Sequence, residues 1–115
     1  MLARFYKLID FILIMGEILL KIHKSYRWVV AVCDKDVFGR KLVDEKRVLD
    51  VSGEFFNGKE MSEEEVAGEI VRCSNEDATF NFVGENSVRI AKELGIVNNK
   101  GIVMIEGVPF ALALV

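Results

Sequence analysis

The sequence predicts an α+β fold, a mostly antiparallel sheet with two main helices in a single compact domain. Three observations support this prediction: apolar residues alternate in several short segments, one helix begins at a capping box, and another ends at a glycine. The 115 residues are 51% hydrophobic and 29% charged with one proline, which is typical of one globular domain.

The first two strands are predicted to form a hairpin that turns at Lys24-Ser25. In the segments EILLKIH and YRWVVAVC, alternate apolar residues share one face of each strand: Ile18, Leu20, Ile22, Trp28, Val30 and Val32. After a loop, KRVLDV predicts a third strand, and Asn57-Gly58 predicts a tight turn.

The first helix is predicted to begin at Ser62, with Glu65 three residues later completing a capping box. Met61 and Val66 are spaced as a hydrophobic staple. The residues expected on the buried side of this helix are Val66, Ile70, Val71 and Cys73.

The second helix is predicted from about Glu85 to Leu94, after a strand from Thr79 to Val83. Gly95 can end it in the left-handed conformation, with Ile96 packing back on Ala91. The last two predicted strands, IVMIEG and FALALV, are joined around Gly107 and Pro109.

The N-terminal residues 1–14 are set apart from the single α+β domain predicted for residues 15–115. Their apolar residues recur at helical spacing, which indicates a short amphipathic helix that docks on the domain, on a partner or on a membrane surface. The alternative is that Met15 is the true start and an upstream start codon adds the extension. The longest apolar run, Phe11 to Met15, is too short for a transmembrane segment.

Charge and cysteine usage limit the classes of function. Residues 1–50 carry a net charge of +3 and residues 51–115 carry −6, while the overall pI near 5.2 differs from that of a typical nucleic-acid binder. Cys33 and Cys73 lie far apart in a chain without an export signal. We therefore expect two small core residues in a reduced, cytoplasmic protein.

Candidates for catalysis or metal binding are few. His23 is the single histidine, so a His-rich metal site is excluded and an exposed strand residue is expected. The segment DKDVFGRKLVDE matches a calcium loop in part, but Phe38 occupies a ligand position, so a surface loop is favoured. Glu63, Glu64 and Glu65 suit a helix N-terminus. We predict no cofactor, no metal and no catalytic residue, and enzymatic activity is the less favoured class.

Two candidate binding sites remain. In NFVGENSVRIAKELGIV, Gly84 and Glu85 are explained by a helix start, yet such a strand-to-helix turn also allows close approach of a ligand. A small-ligand site is therefore predicted between this turn and the loop around Gly107: Asn81, Gly84, Glu85, Gly107 and Pro109. The basic segment of the first hairpin is the candidate RNA-binding site: Lys21, Lys24, Arg27 and Trp28.

The same segments carry a resemblance to a family. NFVGENSVRIAKELGIV, IVMIEGVPFA, CDKDVFGRKL and VSGEFFNGKEM resemble an archaeal family of uncharacterised proteins, domain of unknown function 424, over about residues 16 to 114. By position, the family pattern falls on Gly39, Phe56, Gly58, Asn81, Val83, Gly84, Glu85, Gly107, Val108 and Pro109. The chain departs from it at Phe110, where members commonly have a histidine.

Some members of that family are described as related to the beta subunit of archaeal translation initiation factor two. The resemblance implies an archaeal cytoplasmic protein with a translation-linked binding role. The partners it suggests are the ribosome, RNA or a translation factor, and it leaves the oligomeric state open. A small-ligand or enzymatic domain is the alternative.

Overall fold

Strands account for most of the regular structure in residues 17–114, which are the residues described in this computed structural model. The strands are β1 Ile18–His23, β2 Val29–Asp34, β3 Lys41–Val43, β4 Val48–Asp50, β5 Lys59–Met61, β6 Thr79–Val83, β7 Ile102–Ile105 and β8 Val108–Leu114. The helices are α1 Glu63–Ser74 and α2 Glu85–Glu93. The predictions for residues 1–14 lie outside the described residues.

Six strands form the main sheet in the order β5-β1-β2-β6-β8-β7, and β3 and β4 form a separate two-stranded sheet. Only β2 and β6 are parallel among the neighbouring strands of the main sheet. The predicted α+β fold with a mostly antiparallel sheet is confirmed. Because β2 and β6 are parallel, their C-terminal residues, Asp34 and Val83, lie at the same end of the two strands. No helix in the described part of the chain has the length and apolarity needed to cross a membrane.

Each face of the main sheet supports its own core. On one face, α1 and α2 cover Phe80 and Phe82, whose rings stack with centroids 5.5 Å apart. On the other face, Leu42, Val51 and Phe56 cover Cys33 and neighbouring strand residues. The two cores follow from strict alternation of side chains along the central strands.

Local signals at the helix ends are confirmed. The Ser62 hydroxyl accepts a hydrogen bond from the Glu65 amide at 3.2 Å, and the Glu65 carboxylate accepts one from the Ser62 amide at 3.1 Å. Gly95 is left-handed at φ 75°. The Ile96 amide donates to the Ala91 carbonyl at 2.9 Å, so the chain folds back over the end of α2 as predicted.

Several sequence predictions are wrong in detail. The segment predicted as a loop before the third strand contains β3, which pairs with β4; three residues are too few for alternation to be recognised. Val71, predicted to be buried in α1, is 50% exposed. Val66, Ile70 and Cys73 already occupy the buried face at helical spacing, and the residue after Ile70 turns away from it.

Pro109 lies inside β8, whereas the sequence placed it in the connecting turn. The turn is formed by Glu106 and Gly107, both with positive φ. Pro109 has no N–H group to donate to the Gly84 carbonyl on the neighbouring strand. That loss is compensated because the Gly84 carbonyl accepts from Val88 in α2 at 3.0 Å.

Gly58 follows a 3-10 turn at Glu54–Phe56 and enters β5. A Cβ atom at this position would lie 2.3 Å from the Leu20 carbonyl carbon. The glycine predicted to form a tight turn is therefore also required because the chain passes directly over β1.

Candidate functional site

The structure brings together the two segments of the predicted small-ligand site. The Gly84 amide donates to the Pro109 carbonyl at 2.9 Å, which joins the start of α2 to β8. A cavity of about 260 Å³ lies beside this contact. Its lining includes Asp34, Asp36, Arg40, Glu85, Gly107 and Pro109.

Asp34, a residue not predicted as part of this site, organises the start of α2. Its carboxylate accepts hydrogen bonds from the Asn86 amide at 2.9 Å, the Ser87 amide at 2.8 Å and the Ser87 hydroxyl at 2.7 Å. The residue at the helix N-cap, Gly84, makes no side-chain cap. The end of β2 therefore supplies the cap that the local sequence lacks.

The same contact requires a glycine at position 84. It has φ 110° and ψ 159°, a region that is populated almost only by glycine. A Cβ atom there would lie 2.4 Å from the carboxyl carbon of Asp34. Gly84 thus provides both the backbone conformation and the space that the Asp34 carboxylate needs.

Burial raises the pKa of the Asp34 carboxyl above its ordinary value, while the hydrogen bonds from Ser87 and Asn86 act in the opposite direction. Because Asp34 occupies the Asn86 and Ser87 amides, those donors are not available to an external anion. Among the described residues that line the cavity there are two further carboxylates, Asp36 and Glu85, and one guanidinium, that of Arg40. This balance favours ligands that carry a cationic group.

Asn81 does not line this cavity. It lies in the middle of β6, paired with Ala31 of β2 and Leu112 of β8. Its side chain alternates with Phe80 and Phe82 and so faces away from the helices. Of the five residues of the predicted ligand site, the described structure therefore separates Asn81 from Glu85, Gly107 and Pro109.

The predicted RNA-binding residues divide between the two faces of the β1–β2 hairpin. Lys21 donates to the Glu54 carbonyl at 2.8 Å and lies 3.6 Å from its carboxylate. Arg27 Nε donates to the Thr79 hydroxyl at 3.1 Å. Lys24 Nζ lies 4.8 Å from the centre of the Trp28 ring, and Trp28 packs against the core beneath the helices.

Tyr26, which was not predicted as a site residue, is fully exposed at the tip of this hairpin. It lies between Lys24 and Arg27 in the chain, and both are exposed. The sequence placed Tyr26 at the start of the second strand, whereas β2 begins at Val29 and Tyr26 lies in the turn before it. We call the exposed residues Lys24, Tyr26 and Arg27 the hairpin tip.

The remaining reactive side chains have local partners or are buried. His23 stacks on Phe55 with ring centroids 4.7 Å apart, and its Nε2 lies 3.0 Å from the Phe55 carbonyl. Burial and the charges of Asp34 and Asp36 raise the pKa of Cys33 to about 12, and burial also raises the pKa of Cys73. These thiols stay protonated at neutral pH. Within residues 17–114, no group of three or more His, Cys, Asp or Glu side chains is placed to hold a metal ion.

Comparison with known proteins gives one family and one similar structure. A family model described as "Protein of unknown function (DUF424)" matches residues 15–115. A crystal structure of an uncharacterized conserved protein from Methanopyrus kandleri is 29% identical with a TM-score of 0.74, over 83% of this chain and 88% of that chain. No curated protein matches.

Proposed function

We propose that this chain, which belongs to the DUF424 family of proteins of unknown function, is a non-enzymatic binding module that contacts RNA of the translation machinery through the hairpin tip. One observation carries the proposal: the Tyr26 ring is fully exposed and has an exposed cation on each side in sequence. Aromatic rings beside Lys and Arg are the usual platform for unstacked RNA bases.

Contacts within the hairpin hold the residues around the hairpin tip in place. Trp28 is partly buried and packs against the core, and Lys24 lies over its ring. The Ser25 hydroxyl donates to the Arg27 carbonyl at 2.9 Å, which closes the turn. A tip held in this way loses little conformational entropy when a base stacks on Tyr26.

The charge distribution supports a weak contact. The chain carries a formal net charge of −3, so attraction to RNA must come from a local patch rather than from the whole protein. Lys21 contributes little to such a patch because Glu54 neutralises it. Binding through Lys24 and Arg27 alone should be micromolar or weaker and should decrease with salt.

The test is fluorescence anisotropy with a labelled single-stranded RNA dodecamer across a salt series. Tyr26→Ala should weaken binding about 5- to 100-fold, because one base loses its stacking partner. Tyr26→Phe keeps the ring and should bind like the wild type. Leu114→Ala removes a different exposed apolar side chain and should also leave binding unchanged. Equal affinity of Tyr26→Ala and wild type, or salt-independent binding, would contradict the proposal.

A second candidate function, small-ligand binding, is favoured by the cavity beside α2. Asp36 and Glu85 there can hold an amine while Arg40 holds a carboxylate, so a zwitterionic or polyamine ligand fits the side chains. Free amino acids and spermidine are suitable probes in a thermal unfolding screen. A ligand of this site should raise the Tm of the wild type and not that of Glu85→Gln. An equal rise in both proteins would place the ligand elsewhere.

A further inference from the structure

The two edges of the main sheet differ in how they meet solvent. The edge strand β5 has the sequence Lys-Glu-Met, and β7 at the opposite edge has the sequence Ile-Val-Met-Ile. Exposed edge strands in soluble proteins are commonly charged or very short, because an apolar edge pairs readily with another chain. β7 lacks that protection.

The hydrogen-bond pattern shows which backbone groups of β7 face outward. The Pro109 carbonyl accepts from Gly84 on the β6 side, so the next residue of β8, Phe110, directs its backbone groups to β7. Phe110 is opposite Val103 and Pro109 is opposite Met104. Because the direction alternates along a strand, the Met104 N–H and C=O point away from the sheet. Within the described residues, no strand pairs with that side.

A groove runs between this edge and α2. Its volume is about 420 Å³, and Ile102, Met104 and Pro109 line it from the sheet. Val88, Arg89 and Lys92 line it from α2, with Glu85 at the start of the helix. Met104 is 56% exposed, so an apolar floor and unpaired backbone groups lie side by side.

The groove also carries an available positive charge. Arg89 is held by Glu63 at 2.7 Å and Glu93 at 3.3 Å. Lys92, one turn later on the same helix, is exposed and has no ion pair within the described residues. A partner with a carboxylate near the end of α2 would therefore complement this side of the groove.

We propose that the groove binds an extended acidic-apolar peptide segment of a partner protein, which adds to β7 as a seventh strand. The Met104 backbone groups bond the peptide, alternate apolar side chains pack on Ile102 and Met104, and a carboxylate reaches Lys92. Addition of an extended peptide to an exposed sheet edge is a recurrent mode of peptide recognition. A second copy of this chain fits less well, because its own β7 contains no carboxylate.

The test uses two blocked heptapeptides that alternate Val and Thr, one with Glu at the first position and one with Glu at the last. Amide hydrogen exchange of the full chain is followed by NMR. The peptide whose Glu lies beside Lys92 when it pairs with β7 should slow amide exchange at Met104 at least tenfold at saturation. Amide exchange in β5 should be unchanged. The same peptide N-methylated on its edge-facing amides should bind at least tenfold more weakly, because it cannot pair with β7.

Charge exchange gives the matched control. Lys92→Glu should weaken binding of the Glu peptide at least fivefold. A peptide with Lys in place of that Glu should bind the variant as tightly as the Glu peptide binds the wild type. Equal binding of the N-methylated peptide, or binding without protection of Met104, would overturn the proposal. Protection of Met104 before peptide is added, or a dimer abolished by Met104→Lys, would assign the edge to another occupant and also overturn it.

Discussion

The two helices begin in different ways. α1 is capped locally, since Ser62 and Glu65 are three residues apart and bond each other's amides. α2 begins at a bare glycine, and its amides are bonded by Asp34, more than fifty residues earlier in the chain. A local cap depends only on neighbouring residues, whereas a remote cap depends on the pairing of β2 with β6. Substitutions at the start of α2 should therefore lower the free energy of unfolding more than substitutions at the start of α1.

The difference explains why the start of α2 resembles a binding site in the sequence. A glycine followed by an acidic residue at a strand-to-helix turn is found where ligands approach the backbone. Here the close approach is made by Asp34 from the same chain. The hairpin tip is the opposite case, because Tyr26 is exposed there and makes no contribution to the core.

The largest effect is expected for Gly84→Ala. The new Cβ would enter the Asp34 carboxyl, in a backbone conformation that alanine avoids, so the free energy of unfolding should fall by more than about 3 kcal/mol. Urea unfolding measures this. Gly68→Ala is the matched control, because no atom lies within 4 Å of a Cβ there and alanine should stabilise α1 by up to about 1 kcal/mol. A mild effect at Gly84 would contradict the remote cap.

Asp34→Asn should cost about 2 kcal/mol at neutral pH, because the Asn86 and Ser87 amides bond different carboxylate oxygens and asparagine offers only one acceptor oxygen. The folded-state pKa of Asp34 is raised above 3.8, so the folded chain binds this proton at a higher pH than the unfolded chain. The stability contributed by this titration is fully present at low pH and is lost as pH rises through the folded pKa.

The deficit of Asp34→Asn relative to wild type should therefore grow as the pH is lowered toward 3.8. Asp44 and Asp50, whose pKa values are lowered by hydrogen bonds, titrate in both proteins and cancel in the comparison. Urea unfolding at several pH values measures the difference. A deficit that shrinks on acidification would show that the pKa of Asp34 is lowered instead.

Ser62→Ala should have a smaller effect, a loss of about 1 kcal/mol, which is typical of an N-cap. The Glu65 amide loses its acceptor, but the contact between β2 and β6 is untouched. Urea unfolding should show a lower midpoint with an unchanged slope. Ser62→Asp retains an acceptor and should recover most of the stability. A loss as large as that of Asp34→Asn would remove the distinction between the two helix starts.

Tyr26→Ala should have the smallest effect on stability, less than about 0.5 kcal/mol, because the ring is fully exposed. Unfolding by urea should match that of the wild type, which separates any loss of binding from a loss of fold. A substantial destabilisation would show that Tyr26 has a structural role.

The sequence predicted what depends on nearby residues. The capping box at Ser62, the end of α2 at Gly95 and the first hairpin are all local patterns, and the structure confirms them. β3 was missed because three residues show too little alternation. The role of Asp34 was missed because nothing in its own segment indicates that β6 will pair beside β2.

The candidate sites follow the same rule. Gly84, Glu85, Gly107 and Pro109 were grouped by their positions at strand ends, and the structure brings the two segments together, with the Gly84 amide donating to the Pro109 carbonyl. Asn81 lies apart from them because alternation along β6 turns its side chain away from the helices, and it does not line the cavity. Lys21 and Lys24 were grouped by sequence alone, whereas Lys21 contacts Glu54 and Lys24 contacts Trp28.

The most direct measurement of the proposed function is co-sedimentation of the wild type and Tyr26→Ala with archaeal ribosomal subunits across a salt series. The proposed function requires that the wild type migrates with a subunit at low salt and is released as salt rises, and that Tyr26→Ala remains free at every salt. Co-migration of both proteins to the same extent, or free migration of the wild type at the lowest salt, would contradict it.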